Sequence, residues 1–133
     1  MQRAVPAGML ERGHALARQL SDDRAVPPAL VHGDLHPGNV LDGGSRRGLV
    51  AIDPRPCAGD PLFDAVDLTL WDVDSVTAAH ARVAAVASEA GADRERLAAW
   101  CAALAGMAAA SLATRASGTA APAQIAALLA LAA

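Results

Sequence analysis

Lysine is missing from this chain of 133 residues, and arginine supplies all 11 of its basic side chains. The chain also has 14 acidic residues, so its formal net charge is −3 at pH 7. A nucleic-acid-binding domain usually shows a clear basic excess, so this balance argues against a nucleic-acid partner. Large aromatic side chains are equally scarce. The three that occur, Phe63, Trp71 and Trp100, are expected to be packing anchors.

Cysteine and long apolar runs are scarce as well. Cys57 and Cys101 lie far apart and match no metal-binding or redox spacing. The start, MQRAVPAGMLERGH, lacks the apolar run of a signal peptide. The C-terminal run IAALLALAA has nine residues, whereas a membrane span needs about 20. We therefore expect a cytoplasmic protein with no membrane partner.

The apolar content of the chain permits one compact domain. Apolar residues make up 53% of the sequence, but 35 of them are alanine, which buries little area. The length is too short for two ordinary domains. Residues 6–20 predict an amphipathic helix with Met9, Leu16 and Leu20 on one face. The Pro27-Pro28 pair cannot continue a helix and therefore ends it.

A small β element is expected next, followed by helices. The runs ALVH, NVLD and GLVAID each predict a short strand, and residues 43–48, GGSRRG, predict a hairpin turn between the last two. After DPRPCAGDP the pattern is helical to the end. Gly91 is expected to end one helix and Asp93 to cap the next, while Gly118 and Pro122 precede a last short helix. The sequence therefore predicts an α+β fold that is mostly helical.

Polar residues at fixed intervals carry the functional signal. Asp34 lies in a turn, Asn39 follows five residues later, and Asp53 follows the next strand. Phosphoryl transfer needs a carboxylate that orients the attacking hydroxyl, together with oxygen ligands for Mg²⁺. The pattern H-x-D-x-x-x-x-N, here His32 to Asn39, followed by an aspartate at a strand end is typical of a kinase catalytic loop and metal site.

Departures from the protein-kinase pattern narrow the range of kinase families to which the chain could belong. Gly33 lies where protein kinases mostly carry arginine, the second aspartate lies in IDP rather than DFG, and no A-P-E follows. The segments HGDLHPGNVL and AIDPRPCAGDPLFDAVDL closely resemble the aminoglycoside phosphotransferase family of small-molecule kinases. Within it they are most similar to the group that phosphorylates streptomycin or hydroxyurea. The resemblance covers residues 5–115 and is most specific over residues 32–64.

The resemblance implies a protein-kinase-like C-terminal lobe with a small β-hairpin at its catalytic edge. It implies that Asp34 is the catalytic base and that His32 supports the catalytic-loop backbone. Asn39 and Asp53 would hold Mg²⁺, with ATP or GTP as phosphate donor. The acceptor would be a hydroxyl group of a small molecule, with an aminoglycoside such as streptomycin as the leading candidate.

Two further aspartates are expected to support this loop. The resemblance implies that Asp64, in LFDAVDL, hydrogen-bonds the catalytic loop from below. Asp60 precedes Pro61, and this pairing predicts a helix cap. Capping is favoured over a contact between Asp60 and substrate.

Other interpretations of the polar residues remain open. His32, Asp34 and His36 alternate, so on a strand they would share one face and could bind zinc, but Pro37 and Gly38 break such a strand at once. A run of aspartates could attract a polycationic acceptor, or could be caps and solvated turn residues. Trp71 could line that site, although a core position is favoured. The run consists of Asp60, Asp64, Asp67, Asp72 and Asp74.

A complete kinase also needs a lobe that binds the nucleotide. That lobe supplies a glycine-rich turn and a lysine that contacts the phosphates. Only 31 residues precede His32, they contain no G-x-G-x-x-G, and lysine is missing from the whole chain. Residues 1–133 are therefore expected to form the C-terminal lobe alone, with the N-terminal nucleotide lobe absent. The alternative is a non-catalytic kinase remnant, or a binding lobe that needs a separate nucleotide lobe as its partner.

Overall fold

The computed structural model describes residues 5–115 and 122–133, and in these ranges α-helices dominate over two small sheets. The α+β, mostly helical class expected from the sequence is therefore confirmed. The expected break at Gly118 lies outside the described residues. In chain order the elements are α1 (Ala7–Ser21), β1 (Ala29–Val31), a 3-10 helix (Pro37–Asn39), β2 (Val40–Asp42), β3 (Leu49–Ala51), β4 (Cys57–Gly59), a second 3-10 helix (Pro61–Asp64), α2 (Ala65–Leu70), α3 (Val76–Ala90), α4 (Arg94–Arg115) and α5 (Pro122–Leu131).

The strands form two separate antiparallel pairs. β2 and β3 make the predicted hairpin. β1 instead pairs with β4, with Leu30 opposite Ala58. The sequence did not predict β4, because Cys57–Gly59 shows neither alternation nor a β-branched residue. Pairing with β1, rather than any local pattern, makes this segment a strand.

Helix α4 forms the centre of the core. It packs against α1, α2, α3 and α5, and its buried side chains include Leu97, Trp100 and Cys101. Gly13 of α1 marks a very close approach, since a Cβ there would lie 2.4 Å from the carbonyl oxygen of Ala103. The many small residues therefore let the helices pack closely, which offsets the small area that each alanine buries.

By length and composition alone, α4 could also cross a membrane, with a mean hydropathy of 1.6. Among the described helices it is the one that meets this criterion. A helix in the core of a protein meets the same criterion, and α4 is packed on by four other helices. Its apolar composition is weak evidence for a span and is accounted for by packing.

The ends of α3 and α4 confirm the predicted stop and cap signals. Gly91 follows α3 in the left-handed conformation, with φ at 60°. The Asp93 carboxylate accepts hydrogen bonds from the backbone N–H groups of Glu95 and Arg96, at 2.9 and 3.1 Å. These local signals determine where α4 begins, and hence where Arg96 lies.

A buried ion pair joins three segments near the start of α4. Asp60 accepts two hydrogen bonds at Oδ2, from Arg96 Nε at 2.6 Å and from Trp100 Nε1 at 2.8 Å. Arg96 also donates through Nη1 to Asp23 and through Nη2 to the carbonyl oxygen of Leu20, both at 2.8 Å. Only 4% of the Asp60 side chain is exposed. The pair fastens the end of α1 and the start of the second 3-10 helix to α4.

The pKa values of both partners shift in the directions that favour the charged forms. Burial alone would raise the pKa of Asp60, but hydrogen bonds from Leu62 N–H, Trp100 and Arg96 outweigh it and lower that pKa. The bond from Leu62 is the capping contact expected of Asp60. Burial opposes the charge on Arg96 in the same way, while Asp60 and Asp23 raise the pKa of Arg96. Asp60 is therefore an ionised, internally paired group rather than a surface acid.

The loop after β1 is locked against the segment after β3. Gly33 has φ at 86°, and a Cβ there would lie 2.0 Å from the carbonyl oxygen of Arg55. The Arg55 N–H donates to the carbonyl oxygen of His32 at 2.7 Å. Only glycine meets both the left-handed backbone conformation and this close contact. Packing therefore explains the glycine that departs from the protein-kinase pattern.

We expect Asp60→Asn to lower the free energy of unfolding by about 3 kcal/mol, because Arg96, whose side chain is only 14% exposed, loses its buried carboxylate partner and keeps only Asp23. Chemical denaturation at pH 7 measures this loss. Glu89→Gln, which neutralises an exposed carboxylate on α3, is the matched control and should change stability by less than about 0.5 kcal/mol.

The loss should also depend on pH in a defined direction. Because the folded-state pKa of Asp60 is lowered, its contribution is fully present above the unfolded-state pKa of about 3.9. The contribution disappears as the pH falls below that value and through the folded-state pKa. The stability difference between wild type and Asp60→Asn should therefore shrink below about pH 4. A difference that stays constant between pH 7 and pH 3 would contradict this account.

Gly33→Ala should cost more stability than Gly44→Ala, although both glycines have a left-handed backbone, with φ at 86° and 83°. A Cβ at Gly44 meets nothing within 4 Å, whereas at Gly33 it meets the Arg55 carbonyl. The backbone cost of about 1–2 kcal/mol is common to both variants, so their difference isolates the steric clash. Chemical denaturation of the two variants measures it, and equal losses would show that the loop can relax around the new methyl group.

Candidate active site

The loop from β1 to β2 carries three of the six sequence-predicted site residues, His32, Asp34 and Asn39. Asp34 lies within it, and its side chain is 36% exposed. The loop then turns through the first 3-10 helix, where Pro37 takes the first position and the Nδ1 atom of His36 accepts from Gly38 N–H at 3.1 Å. This turn brings Asn39, at the end of the helix, back beside Asp34.

His32 bridges the loop and the end of β3. Its Nδ1 accepts a hydrogen bond from Asp34 N–H at 3.2 Å, and its Nε2 lies 2.8 Å from the carbonyl oxygen of Ile52. Because a carbonyl only accepts, Nε2 carries the proton. Both ring nitrogens are therefore occupied, and His32 holds the backbone of Asp34 in place.

These bonds weigh against the zinc interpretation. A neutral histidine binds a metal through an unprotonated nitrogen, and His32 already uses its own for Asp34 N–H. Over residues 5–115 and 122–133, no three His, Cys, Asp or Glu side chains are grouped as a metal site. His36 and Asp34 do lie side by side, with His36 Nε2 4.0 Å from Asp34 Oδ1, but without a third ligand.

Asp64 binds the backbone of the loop between β1 and β2 from the side of the helices. Its Oδ2 accepts from His32 N–H at 2.7 Å and its Oδ1 accepts from Gly33 N–H at 2.9 Å. A carboxylate that receives two backbone N–H groups makes charge-assisted bonds, which are stronger than neutral ones. Asp60 caps the start of the second 3-10 helix, and Asp64 is the last residue of that helix. The four residues of this helix therefore connect the buried ion pair to the loop between β1 and β2.

Asn39 is buried beside Asp34. Its Nδ2 donates to the Asp34 carbonyl oxygen at 2.9 Å and lies 3.5 Å from Asp34 Oδ2. The carbonyl partner identifies this atom as the amide nitrogen, so the amide oxygen is the remaining polar atom of the side chain. Within the described parts of the chain, that oxygen receives no hydrogen bond.

Asp53 lies close to Asn39 through the hairpin. Ile52 N–H donates to the Asn39 carbonyl oxygen at 2.9 Å, and Asp53 follows at once. Asp53 is exposed and has φ at 51°, a left-handed conformation that is uncommon for any residue other than glycine. Such backbone strain costs on the order of 1–3 kcal/mol and is concentrated at functional sites.

The donor set at this edge suits a magnesium ion. An amide oxygen from Asn39 and a carboxylate from Asp53 are hard ligands of the kind Mg²⁺ prefers. Magnesium in nucleotide-dependent enzymes takes only one or two protein carboxylates and fills its other positions with phosphate and water. A site with two protein side chains is therefore sufficient for this ion, although it would be too small for structural zinc.

The surroundings of Asp34 differ on its two sides. Oδ2 faces Asn39 and also Arg55, whose Nε lies 4.0 Å away. Oδ1 faces His36. The His36 ring stacks on Trp71, with centroids 5.9 Å apart and planes 7° from parallel. Nothing in the sequence marks Arg55 beyond its place two residues after Asp53.

The core position favoured for Trp71 is wrong. Its side chain is 45% exposed, because its neighbours Leu70 and Val73 take the buried positions. The expectation of packing anchors does hold for Phe63 and Trp100, which meet edge to face at a centroid distance of 5.7 Å. In an apolar stretch such as LTLW, the sequence contains no sign that the tryptophan faces outwards.

The aspartate run divides between internal and exposed roles. Asp60 and Asp64 bind protein groups as described above, and Asp72 accepts from Gln124 Nε2 at 3.3 Å. Asp67 keeps much of its surface in contact with solvent, but the protein around it partly desolvates its carboxylate. This desolvation raises the pKa of Asp67, and the nearby charge of Asp34 raises it further. The proximity of His36 lowers the same pKa. Asp67 is therefore close enough to His36 and Asp34 for their charges to act on it.

Comparisons with known proteins agree with the motif. A sequence profile of the aminoglycoside/hydroxyurea antibiotic resistance kinases matches residues 1–116. The chain is 42% identical over 108 residues to a hydroxyurea phosphotransferase of Kitasatospora aureofaciens, covering 74% of the chain and 28% of that protein. It is 41% identical over 116 residues to a streptomycin 6-kinase of Streptomyces glaucescens, covering 75% of the chain and 38% of that protein.

A third relative is the streptomycin 3''-kinase of Klebsiella pneumoniae, 39% identical over 106 residues, with 72% of the chain and 39% of that protein covered. The chain thus spans between 28% and 39% of the lengths of these three relatives. No solved structure matches it. With its profile match over residues 1–116, the chain belongs to the aminoglycoside/hydroxyurea antibiotic resistance kinase family.

Proposed function

We propose that this chain is the catalytic-loop lobe of a cytoplasmic small-molecule kinase with a protein-kinase-like architecture. The complete enzyme would move the terminal phosphoryl group of ATP or GTP to a hydroxyl group of an acceptor such as streptomycin. The observation that carries the proposal is the fixed position of Asp34 between the amide of Asn39 and the ring of His36. Membership of a kinase family supports the same reaction.

In this mechanism Asp34 accepts the proton of the attacking hydroxyl. Its backbone N–H is bound to His32, its carbonyl oxygen is bound to Asn39, and the loop before it is held by Asp64. The carboxylate is therefore oriented before the acceptor arrives. Such preorganisation is the main contribution that a protein can make to phosphoryl transfer, where little covalent chemistry falls to it.

The metal-binding role falls to Asn39 and Asp53. The proposed hard donors are the Asn39 amide oxygen and the Asp53 carboxylate: Asn39 lies beside Asp34, and Asp53 follows Ile52, whose N–H binds the Asn39 carbonyl oxygen. When bound, Mg²⁺ neutralises charge on the phosphates of the nucleotide. Holding Asn39 by its amide nitrogen keeps its oxygen directed away from Asp34 and available to a cation.

A separate nucleotide lobe would complete the enzyme. The phosphate contact that kinases make through a lysine cannot come from this lysine-free chain. Three leucines of the strands are also strongly exposed: Leu30 at 83%, Leu49 at 78% and Leu41 at 49%. An apolar surface of this kind beside a candidate active site supports coverage by another lobe or subunit. The lysine-free composition also supports the alternative, a non-catalytic remnant or a binding lobe.

We expect Asp34→Asn to reduce turnover by about 10²–10⁴-fold, because it removes the proton acceptor with little change of shape. The assay is phosphate transfer to streptomycin by the chain fused to the nucleotide lobe of a related streptomycin kinase. Nucleotide affinity should change little in this variant. Asp53→Ala, in contrast, should weaken binding of the magnesium–nucleotide complex. If Asp34→Asn weakened nucleotide binding as much as turnover, Asp34 would be a metal ligand or a structural residue.

The 133-residue chain alone should show no measurable phosphate transfer to streptomycin with ATP and Mg²⁺. The chain has no lysine to make the phosphate contact, and lost positioning of reactants costs on the order of 7–11 kcal/mol in such reactions. The fusion protein, assayed in parallel, is the positive control. Robust activity of the chain alone would overturn the incomplete-lobe proposal while leaving the proposed reaction intact.

A further inference from the structure

Helix α5 lies outside the part of the chain that the family profile matches. The profile ends at residue 116, whereas α5 runs from Pro122 to Leu131. The helix nevertheless packs on α4 and on α3, and its residues Ala127 and Leu128 are buried. The family motif therefore gives α5 no role, and the contacts of the helix are the evidence for one.

A small second core joins α5 to the turn between α2 and α3, residues 71–75. Val73 of that turn is 1% exposed and clusters with Ala79 of α3 and Ala127 of α5. Leu131 of α5 packs against the same cluster. Burial of apolar side chains is the dominant force that holds packed segments together, so the position of the turn depends on α5.

A polar contact from α5 reaches the same turn. Gln124 Nε2 donates to Asp72 Oδ1 at 3.3 Å. Asp72 has φ at 51°, in the left-handed region that residues other than glycine rarely adopt. Such a conformation persists only where the surrounding structure holds it in place. One apolar and one polar contact of α5 thus hold the two residues that follow Trp71.

The turn places the Trp71 ring against the loop between β1 and β2. The Trp71 carbonyl oxygen accepts a hydrogen bond from the Arg82 guanidinium of α3. The indole stacks on His36, with centroids 5.9 Å apart and planes 7° from parallel. In the described ranges, Trp71 is the one aromatic ring stacked on His36. His36 Nε2 in turn lies 4.0 Å from Asp34 Oδ1.

The His36 ring needs support from outside its own loop. Within the loop its Nδ1 accepts a hydrogen bond from Gly38 N–H at 3.1 Å, so the neutral ring carries its proton on Nε2, the nitrogen beside Asp34. A single hydrogen bond fixes one direction and lets the ring plane tilt about it. A parallel indole restrains the plane as well. The stack with Trp71 therefore determines where the Nε2 proton lies relative to Asp34.

We propose that α5 is a positioning element for the candidate active site. It holds the turn that stacks Trp71 on His36, and so orients the N–H group beside Oδ1 of the candidate base Asp34. Gln124 and Leu131 of α5 act on Asp34 through the turn and the two stacked rings, without contact with either reactant. This inference rests on the proposed role of Asp34 and adds a support that lies outside the segment matched by the family profile.

Two leucines of α5 give a matched pair of variants. Leu131 packs against both the second core and the main core, whereas among the described residues Leu129 packs against the main core alone. Leu131→Ala and Leu129→Ala remove the same atoms from the same helix, so both should lower the midpoint of thermal unfolding. Only Leu131→Ala should loosen the stack of Trp71 on His36.

NMR of the 133-residue chain, recorded below the unfolding midpoint of each variant, measures the stack. The ring current of a parallel indole shifts the C–H signals of the imidazole upfield. Trp71→Leu removes the indole and gives the unstacked position of the His36 signal. In Leu131→Ala the signal should move towards that position, whereas in Leu129→Ala it should stay at the wild-type position.

Reversal of donor and acceptor tests the polar contact. Gln124→Glu places a second carboxylate against Asp72 and should shift the His36 signal in the same direction as Leu131→Ala. Asp72→Asn keeps an acceptor oxygen for Gln124 and should leave the signal unchanged. The two substitutions together put the donor at position 72 and the acceptor at position 124, and should restore the wild-type signal. A double-mutant cycle over these four proteins isolates the contact.

Turnover of the fusion protein tests the consequence for Asp34. Leu131→Ala and Gln124→Glu should lower kcat for phosphate transfer to streptomycin by roughly two- to tenfold, because small misplacements of a reacting group are costly. The KM for magnesium–ATP should not change, since α5 acts on the base rather than on the proposed metal ligands. Leu129→Ala should leave kcat at the wild-type value.

Three results would overturn the inference. The first is a His36 signal that is the same in wild type, Leu131→Ala and Gln124→Glu. The second is an equal shift in Leu131→Ala and Leu129→Ala, which would indicate a general loosening of the fold. The third is a shifted signal with unchanged kcat. A wild-type fusion protein that transfers no phosphate would count against the proposed function, while the NMR comparison would still decide whether α5 positions His36.

Discussion

The buried carboxylate of Asp60 is the contact on which the rest of the site depends. It receives Arg96, Trp100 and the N–H of Leu62, and so fixes the start of the second 3-10 helix against α4. That helix ends at Asp64, whose carboxylate accepts hydrogen bonds from two backbone N–H groups of the loop between β1 and β2. The buried carboxylate of Asp60 therefore determines, through Asp64, where the loop between β1 and β2 lies relative to the helices. Removal of either aspartate would therefore change the position of Asp34 through the loop backbone rather than through a direct contact.

The loop between β1 and β2 is held from three sides by different kinds of contact. Asp64 supports it from the helices, Arg55 closes over Gly33 from the segment after β3, and His32 reaches the end of β3. Asp34 itself makes its close hydrogen bonds through its backbone, while its carboxylate oxygens stay at 3.5–4.0 Å from side-chain partners. A rigid main chain with a lightly engaged carboxylate is the arrangement that a proton acceptor requires.

Features that depend on neighbouring residues were easier to predict from the sequence than features that depend on partners distant in the chain. The cap at Asp93, the stop at Gly91 and the spacing from Asp34 to Asn39 each concern a few neighbouring residues, whose geometry follows from backbone chemistry. The strand at Cys57–Gly59 and the outward turn of Trp71 depend on partners that are distant in sequence. Arg96 and Asp60 are separated by 36 positions, and no pattern in either segment announces their pairing. The candidate site residues could be proposed from the sequence because the expected chemistry fixes their spacing, whereas the residues that support them are fixed only by packing.

Arg96 shows what an arginine-only composition achieves at one position. Its three nitrogens are directed to three acceptors in two segments: Nε to Asp60 at the start of the second 3-10 helix, and Nη1 and Nη2 to Asp23 and the carbonyl oxygen of Leu20 at the end of α1. A guanidinium is a flat fork with fixed directions, whereas a lysine ammonium is a single point at the end of a flexible stem. A lysine at position 96 would keep the positive charge, but its ammonium group could not reach all three acceptors in these fixed directions. The joint between α1, the second 3-10 helix and α4 thus depends on the shape of a cation as much as on its charge.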